Sequence, residues 1–236
     1  MKIICMSNKA AVSLMGLSLV FLLAAGAGCT LEQEGSQAGT PRPEPRRVAA
    51  ATAEAVEPVE EGERAPSATV FTPEGRPLNL ESLYGEAPTV LIFYRGGWCP
   101  YCRDHLADLR NVEDELKEAG FQILALSPDK PEFVAEATDE HDYGYRLLSD
   151  YRAEAALAFG LAFRVPAQTL ENYRENGLYL RERSGQPHGL LPVPAAYVID
   201  TGGTIRYAHW NPNYKKRIEA QELLEAAKDA ADGTGD

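Results

Sequence analysis

Cys99 and Cys102 stand two residues apart in the run Phe93-Tyr94-Arg95-Gly96-Gly97-Trp98-Cys99-Pro100-Tyr101-Cys102. Sulfurs at that spacing can close a disulfide, share a proton or grip a soft metal, and the surrounding elements decide which. The apolar stretch Thr89 to Tyr94, rich in β-branched and aromatic residues, predicts a buried strand. Gly96 and Gly97 then turn the chain, and Pro100 suits the first position of a helix. A Cys-x-x-Cys at a strand-to-helix junction brings sulfur to the unpaired N–H groups of a helix N-terminus. The dipole there favours thiolate, which is the reactive form. The pair therefore reads as a redox dithiol. A structural zinc site would need more ligands, and His105, His141, His188 and His209 are scattered along the chain. The sequence carries no glycine-rich phosphate loop, and no cofactor is expected.

The other two cysteines lie near the N-terminus. Lys2 and Lys9 precede or flank the start of an apolar run, Ala10 to Leu23, and the small residues Ala24 to Gly28 lead to Cys29. This is the pattern of an export signal. Apolar and small residues directly before a cysteine resemble the bacterial lipoprotein signal, with Gly26 standing where leucine is commoner. That resemblance implies cleavage after residue 28, which removes Cys5, and lipid on Cys29. An exported chain whose remaining thiols form one short motif is not a disulfide-stapled scaffold. Net charge is −12, and loss of Lys2 and Lys9 with the signal gives −14. This balance argues against nucleic acid and anionic headgroups as partners, leaving the lipid anchor as the membrane contact. The expected location is the bacterial cell envelope, facing the periplasm or exterior.

From Leu31 to about Ala65 there is no aromatic residue, and Pro, Ala, Glu, Gly and Arg dominate. Such a segment buries too little apolar surface to order itself. Residues 29–64 are expected to be a disordered tether with a reach on the order of 30 Å. One folded domain is expected over 65–236. Short strands at Ala68–Phe71 and Arg76–Leu78 flank a turn, and Leu80–Tyr84 makes a helical turn before the central strand. Leu106, Leu109, Val112 and Leu116 recur at spacings of three and four, predicting one helix from Pro100 to about Ala119. A strand at Phe121–Leu126, a helix at Pro131–Asp139, a strand at Arg146–Leu148 and a helix at Tyr151–Phe159 follow. Residues 161–191 read as an insertion with an irregular helix near Ala167–Asn176. A hairpin, Ala195–Ile199 and Thr204–Ala208, precedes a closing helix, Lys215–Ala231. The order implies an α/β domain, a mixed sheet sandwiched by helices.

Three stretches then resemble the thioredoxin-fold superfamily and, within it, the peroxiredoxin family of alkyl hydroperoxide reductase/thiol-specific antioxidant type. They are Ala65-Pro66 with Thr72-Pro-Glu-Gly75 and Leu80, Phe93-Tyr94 leading to Cys102, and Ala196-Tyr-Val-Ile-Asp200 with Gly203-Thr-Ile205. The first resembles that family's N-terminal hairpin. Arg95 stands where the family carries proline, Cys99 where it carries a hydroxyl residue, and Pro194 where a second arginine would fall. Trp98-Cys99-Pro100-Tyr101-Cys102 and Val193-Pro194 instead resemble the thioredoxin dithiol and its cis-proline. The sequence is most similar to peroxiredoxin-like proteins carrying Arg-Gly-Gly-Trp-Cys-Pro-x-Cys.

The resemblance implies a thiol peroxidase that reduces hydrogen peroxide or alkyl hydroperoxides and is recycled by a thioredoxin-like dithiol. The peroxiredoxin frame makes Cys102 the attacking sulfur and Cys99 the resolving one, whereas the thioredoxin motif reverses them, and the spacing allows either. Arg95 is a candidate to hold thiolate or peroxide oxygen, or is solvated beside the motif. Trp98 is expected to shield one side of the dithiol, and Pro194 to lie against it. His105 sits one turn past Pro100, either near Cys102 or, as the commoner case, on the exposed helix face, His209 packs at a strand end, and Asp104, Asp108 and Glu113–Glu115 form a solvated face. Two other readings stand beside the peroxidase: an exported thiol–disulfide oxidoreductase acting on protein disulfides, and a copper-binding thioredoxin-fold module.

Overall fold

The computed structural model describes residues 48–141 and 143–232. The expected signal, Cys29 and the first part of the expected tether lie outside them. The sheet forms around β3 (Thr89–Phe93), in which every residue is buried. Alternation sends Val90 and Ile92 to one face and Leu91 and Phe93 to the other, so β3 must be covered on both sides. Its neighbours are β4 (Gln122–Ser127), parallel, and β8 (Ala195–Ile199), antiparallel. Outward from β4 come β5 (Arg146–Ser149), β1 (Thr69–Phe71) and β2 (Pro77–Asn79), and outward from β8 comes β9 (Ile205–Trp210). This seven-stranded mixed sheet is the one expected.

One face is covered by α2 (Pro100–Leu109), α3 (Glu113–Glu118), α4 (Pro131–His141) and α8 (Ala220–Asp232), whose Leu106, Leu109, Leu116, Val134, Leu223 and Leu224 are buried there with both thiols. The other face receives α1 (Leu80–Glu86) and α5 (Glu154–Ala158), through Leu80, Leu83, Tyr84, Ala155 and Ala156. Asn79 caps α1, its side chain accepting from the N–H groups of Glu81 and Ser82.

Several expectations need correction. The helix expected from Pro100 to Ala119 is two: the N–H groups of Arg110 to Glu113 each bond three residues back, a tightening that ends α2 and restarts as α3. The buried stripe survives because Leu109, Val112 and Leu116 stay on the inner side. The closing helix begins at Ala220, leaving 211–219 as a loop. The tether expected through 64 is not a tether over 48–64. Val59 is 4% exposed within the core, Ala50 bridges Phe163, and the backbone of Gly62 and Glu63 pairs with Ile205. Val56 and Val59 supply the apolar contacts that the average composition hid.

The insertion is also more regular than expected. β6 (Ala162–Arg164) and β7 (Leu190–Pro192) form a two-stranded antiparallel sheet, between which run α6 (Ala167–Glu175) and α7 (Leu180–Ser184). Val165, Leu180 and Leu191 make a small cluster of their own, against which Trp98 and Tyr173 pack.

Candidate active site

Cys99 is the N-cap of α2 and Pro100 its first residue, so the dithiol stands at the helix N-terminus. The turn before it closes through Cys99 N–H to the Gly96 carbonyl, at 3.1 Å. Gly96 has φ of +138°, and a Cβ there would collide with Trp98 Nε1 and stand 2.8 Å from Asp129 Oδ2. Only glycine fits this turn. Both cysteines are free thiols and buried, at 1% and 0% exposure.

A hydrogen bond from the Cys102 thiol holds Cys99 well below the usual range, at about 6. The Cys102 backbone N–H and the charges of Arg95 and Arg217 add to that effect, against burial. Donating that bond, and deeper burial, push Cys102 up. Arg217 Nη2 approaches Cys102 Sγ at 3.4 Å. The chemistry open to such a pair is nucleophilic attack by Cys99 thiolate, followed by disulfide closure.

Arg95 is 5% exposed, and its guanidinium lies 4.0 Å from the centroid of Tyr214 and 5.2 Å from that of Trp98, while donating to the Tyr173 hydroxyl. It is a buried, aromatic-caged cation beside the thiolate rather than a solvated one. Trp98 is half-buried, packs against the core cluster that holds both cysteines, and meets Tyr173 at 5.7 Å. Among the described residues no peptide bond is cis, which corrects the expected cis-proline at Pro194. Its carbonyl accepts from Asn211 N–H at 3.2 Å, prolonging the β8–β9 ladder. Pro194 instead lines a cleft of about 280 Å³ with Arg95, Phe163, Val165, Tyr173 and Tyr214.

His105 also departs from expectation. It is 6% exposed, and burial, then Arg217 and His209, lower it to about 4, so it is neutral near pH 7. Glu113 is buried, paired with Lys117, and does not belong to a solvated face.

Sequence reasoning missed four residues that build this site. Asp129 closes β4 and fixes the motif from behind, accepting Gly97 N–H at 2.8 Å and a two-pronged contact from Arg183 at 3.0 and 2.6 Å. Its Ser-Pro-Asp context signals only a turn. Tyr173, Tyr214 and Arg217 come from α6 and the 211–219 loop, far away in the chain. The basic run Lys215-Lys216-Arg217 looks solvated in sequence, and nothing in it marks the third residue as half-buried with its guanidinium against a sulfur.

A family model described as the AhpC/TSA family matches residues 62–208. The chain belongs to the AhpC/TSA family. A putative peroxiredoxin of Mycobacterium tuberculosis is 27% identical over 150 residues, 64% of this chain and 84% of that one. Peroxiredoxin Bcp of Escherichia coli is 31% identical over 104 residues, covering 44% of this chain and 66% of Bcp. Among solved structures, peroxidoxin BcpB from M. tuberculosis has a TM-score of 0.52 at 21% identity, covering 75% of this chain and 96% of that chain. Reduced Prx3 from Vibrio vulnificus has a TM-score of 0.59 at 18% identity, covering 72% and 99%. The likeness establishes a thioredoxin-fold peroxiredoxin frame, and this AhpC/TSA chain is a thiol-based peroxidase. Protein-disulfide exchange and copper binding are not favoured by these likenesses.

Proposed function

We propose that this AhpC/TSA protein reduces hydrogen peroxide or alkyl hydroperoxides with Cys99 as the attacking thiolate and Cys102 as the resolving thiol, and is recycled by a thioredoxin-type dithiol protein. The observation that carries the order is the position of Cys99 as the N-cap of α2, where the helix N-terminus and the nearby charge of Arg95 favour the thiolate. Cys99 is also the less deeply buried sulfur. The thiolate attacks the distal oxygen, the O–O bond breaks, and the alcohol or water leaves with a proton. Cys99 becomes sulfenic acid. Cys102 sulfur then displaces that oxygen as water, and the resulting disulfide is reduced by two electrons from the partner dithiol. The cleft lined by Phe163, Val165, Pro194, Tyr173 and Tyr214, with Arg95 in its wall, suits a peroxide bearing an organic substituent.

This order reverses the one the family frame implies, and single-turnover kinetics with Cys99→Ser and Cys102→Ser proteins separates the two. Cys102→Ser should consume one equivalent of peroxide rapidly and retain a sulfenic acid on Cys99, while Cys99→Ser should be slow. A fast Cys99→Ser and an inert Cys102→Ser would refute it. Peroxide consumption should also outpace insulin-disulfide reduction by the same preparation; the reverse would favour a disulfide exchanger.

The proposed setting is the bacterial envelope, with lipid on Cys29 and cleavage after residue 28. Support comes from the sequence pattern before Cys29; among the described residues no helix is long and apolar enough to cross a membrane. Metabolic labelling with palmitate should mark the wild type and not Cys29→Ala, and equal labelling would refute the assignment.

A further inference from the structure

The loop 211–219 is not part of the dithiol motif, yet it closes the far side of the site. It leaves β9, turns through Asn211 and Asn213, and is pinned by Ile218, which is 3% exposed in the same core cluster as both cysteines. Just before that anchor, Arg217 turns its guanidinium inward. Nη1 donates to the carbonyls of Tyr214 and, at 2.9 Å, Lys216, which fixes the side chain to its own loop. Nη2 is left to meet Cys102 Sγ at 3.4 Å, and Nε is buried with no hydrogen-bond partner among the described residues. No carboxylate forms an ion pair with this guanidinium among the described residues. Arg217 as a whole is half-buried, and a partly desolvated cation with no counter-charge is poised to favour negative charge that arises on the sulfur it touches.

We propose that Arg217 is a catalytic residue for the second half of the cycle: it stabilises Cys102 as a thiolate, when that sulfur closes the disulfide and again when it is expelled on reduction. The inference rests on the Cys99-first reading above. With the sulfenic acid on Cys99, Cys102 gives up its proton and its sulfur electron pair forms the S–S bond while the hydroxyl leaves as water. On the return leg the partner's thiolate bonds to the more accessible Cys99, the Cys99–Cys102 bond breaks, and Cys102 leaves carrying the electron pair. It then takes a proton, and the partner's second thiol releases Cys99. In both steps transient negative charge sits on the sulfur that Arg217 touches. Arg95 is placed to serve the peroxide step, whereas Arg217, whose charge also favours the Cys99 thiolate, touches the sulfur charged in the later steps.

The test is stopped-flow kinetics of full-length wild type, Arg217→Met and Arg217→Lys, following Trp98 fluorescence after a peroxide pulse, with thermal unfolding as the folding control. Arg217→Met should slow disulfide closure about tenfold or more, the effect of losing one charge-assisted hydrogen bond. It should also raise the pH midpoint of closure and increase sulfinic acid on Cys99 at high peroxide, read by mass spectrometry. Arg217→Lys should recover most of the rate and the pH midpoint. In a Cys102→Ser background, Arg217→Met should slow the single-turnover peroxide step less than it slows disulfide closure in the dithiol protein. Unchanged closure with the sulfenic acid on Cys99 would overturn the role of Arg217 alone. Equal slowing of the peroxide step in the Cys102→Ser background would also overturn it. Sulfenic acid trapped on Cys102 would overturn the Cys99-first reading, and the step assigned to Arg217 with it.

Discussion

Replacing Cys102 by alanine removes the largest single influence on the Cys99 thiolate. In the wild type Cys99 is lowered from 9.0 to about 6, and the hydrogen bond from Cys102 is the first cause. At pH 7 a thiol titrating near 6 is about 90% ionised, whereas one titrating near 9 is about 1% ionised. Three pH units amount to at most about 4 kcal/mol, of which the Cys102 hydrogen bond is one of several contributions. The Cys102→Ala protein should therefore titrate at least one unit higher. Cys102→Ser, which keeps a hydroxyl donor, should fall between the two. Thiolate absorbance at ultraviolet wavelengths and the pH dependence of iodoacetamide alkylation both report the midpoint. The sign for stability follows: between about pH 6 and 9 the unfolded state holds the Cys99 proton and the folded state does not. The reduced protein should gain stability as pH rises through that window, and lose this contribution as pH falls towards 6. A Cys99 midpoint unmoved in Cys102→Ala, or a Cys102 in the Cys99→Ala protein that titrates near 6, would refute the reasoning.

Other consequences can be measured directly. Asp129→Ala should cost about 2–4 kcal/mol in urea unfolding, because it strands the Arg183 guanidinium and the Gly97 N–H together; Asp129→Asn, which can still accept from Gly97, should cost less. Gly96→Ala should cost about 2 kcal/mol and displace Trp98, with the peroxide rate falling more than stability does. Tyr173→Ala should speed iodoacetamide alkylation of Cys99 several-fold, since Tyr173 covers Arg95 and Trp98 from the α6 side; an unchanged rate would show that access lies elsewhere. A protein beginning at Ala65 should be about 2–4 kcal/mol less stable than one beginning at Val48, losing the burial of Val59 and the pairing of Gly62 and Glu63 with Ile205.

The sequence by itself determined the central strand, the glycine turn and the placement of Cys99 and Cys102 at a helix N-terminus. Each depends on residues within about ten positions of one another: alternating apolar side chains, φ-permissive glycine, proline at the first helical position. Trp98 beside the dithiol was legible for the same reason. What only the tertiary structure decided was the electrostatics. Whether Arg95 is solvated or caged depends on Tyr173 and Tyr214, and the charge on Cys102 depends on Arg217, each placed by an element at least 75 residues away. The same holds for Val59, whose burial requires a surface built by Phe159 and Ile205. Local spacing encodes backbone geometry because torsions and short hydrogen bonds act along the chain. Burial and through-space charge act between segments, and they exist only once the sheet has brought those segments together.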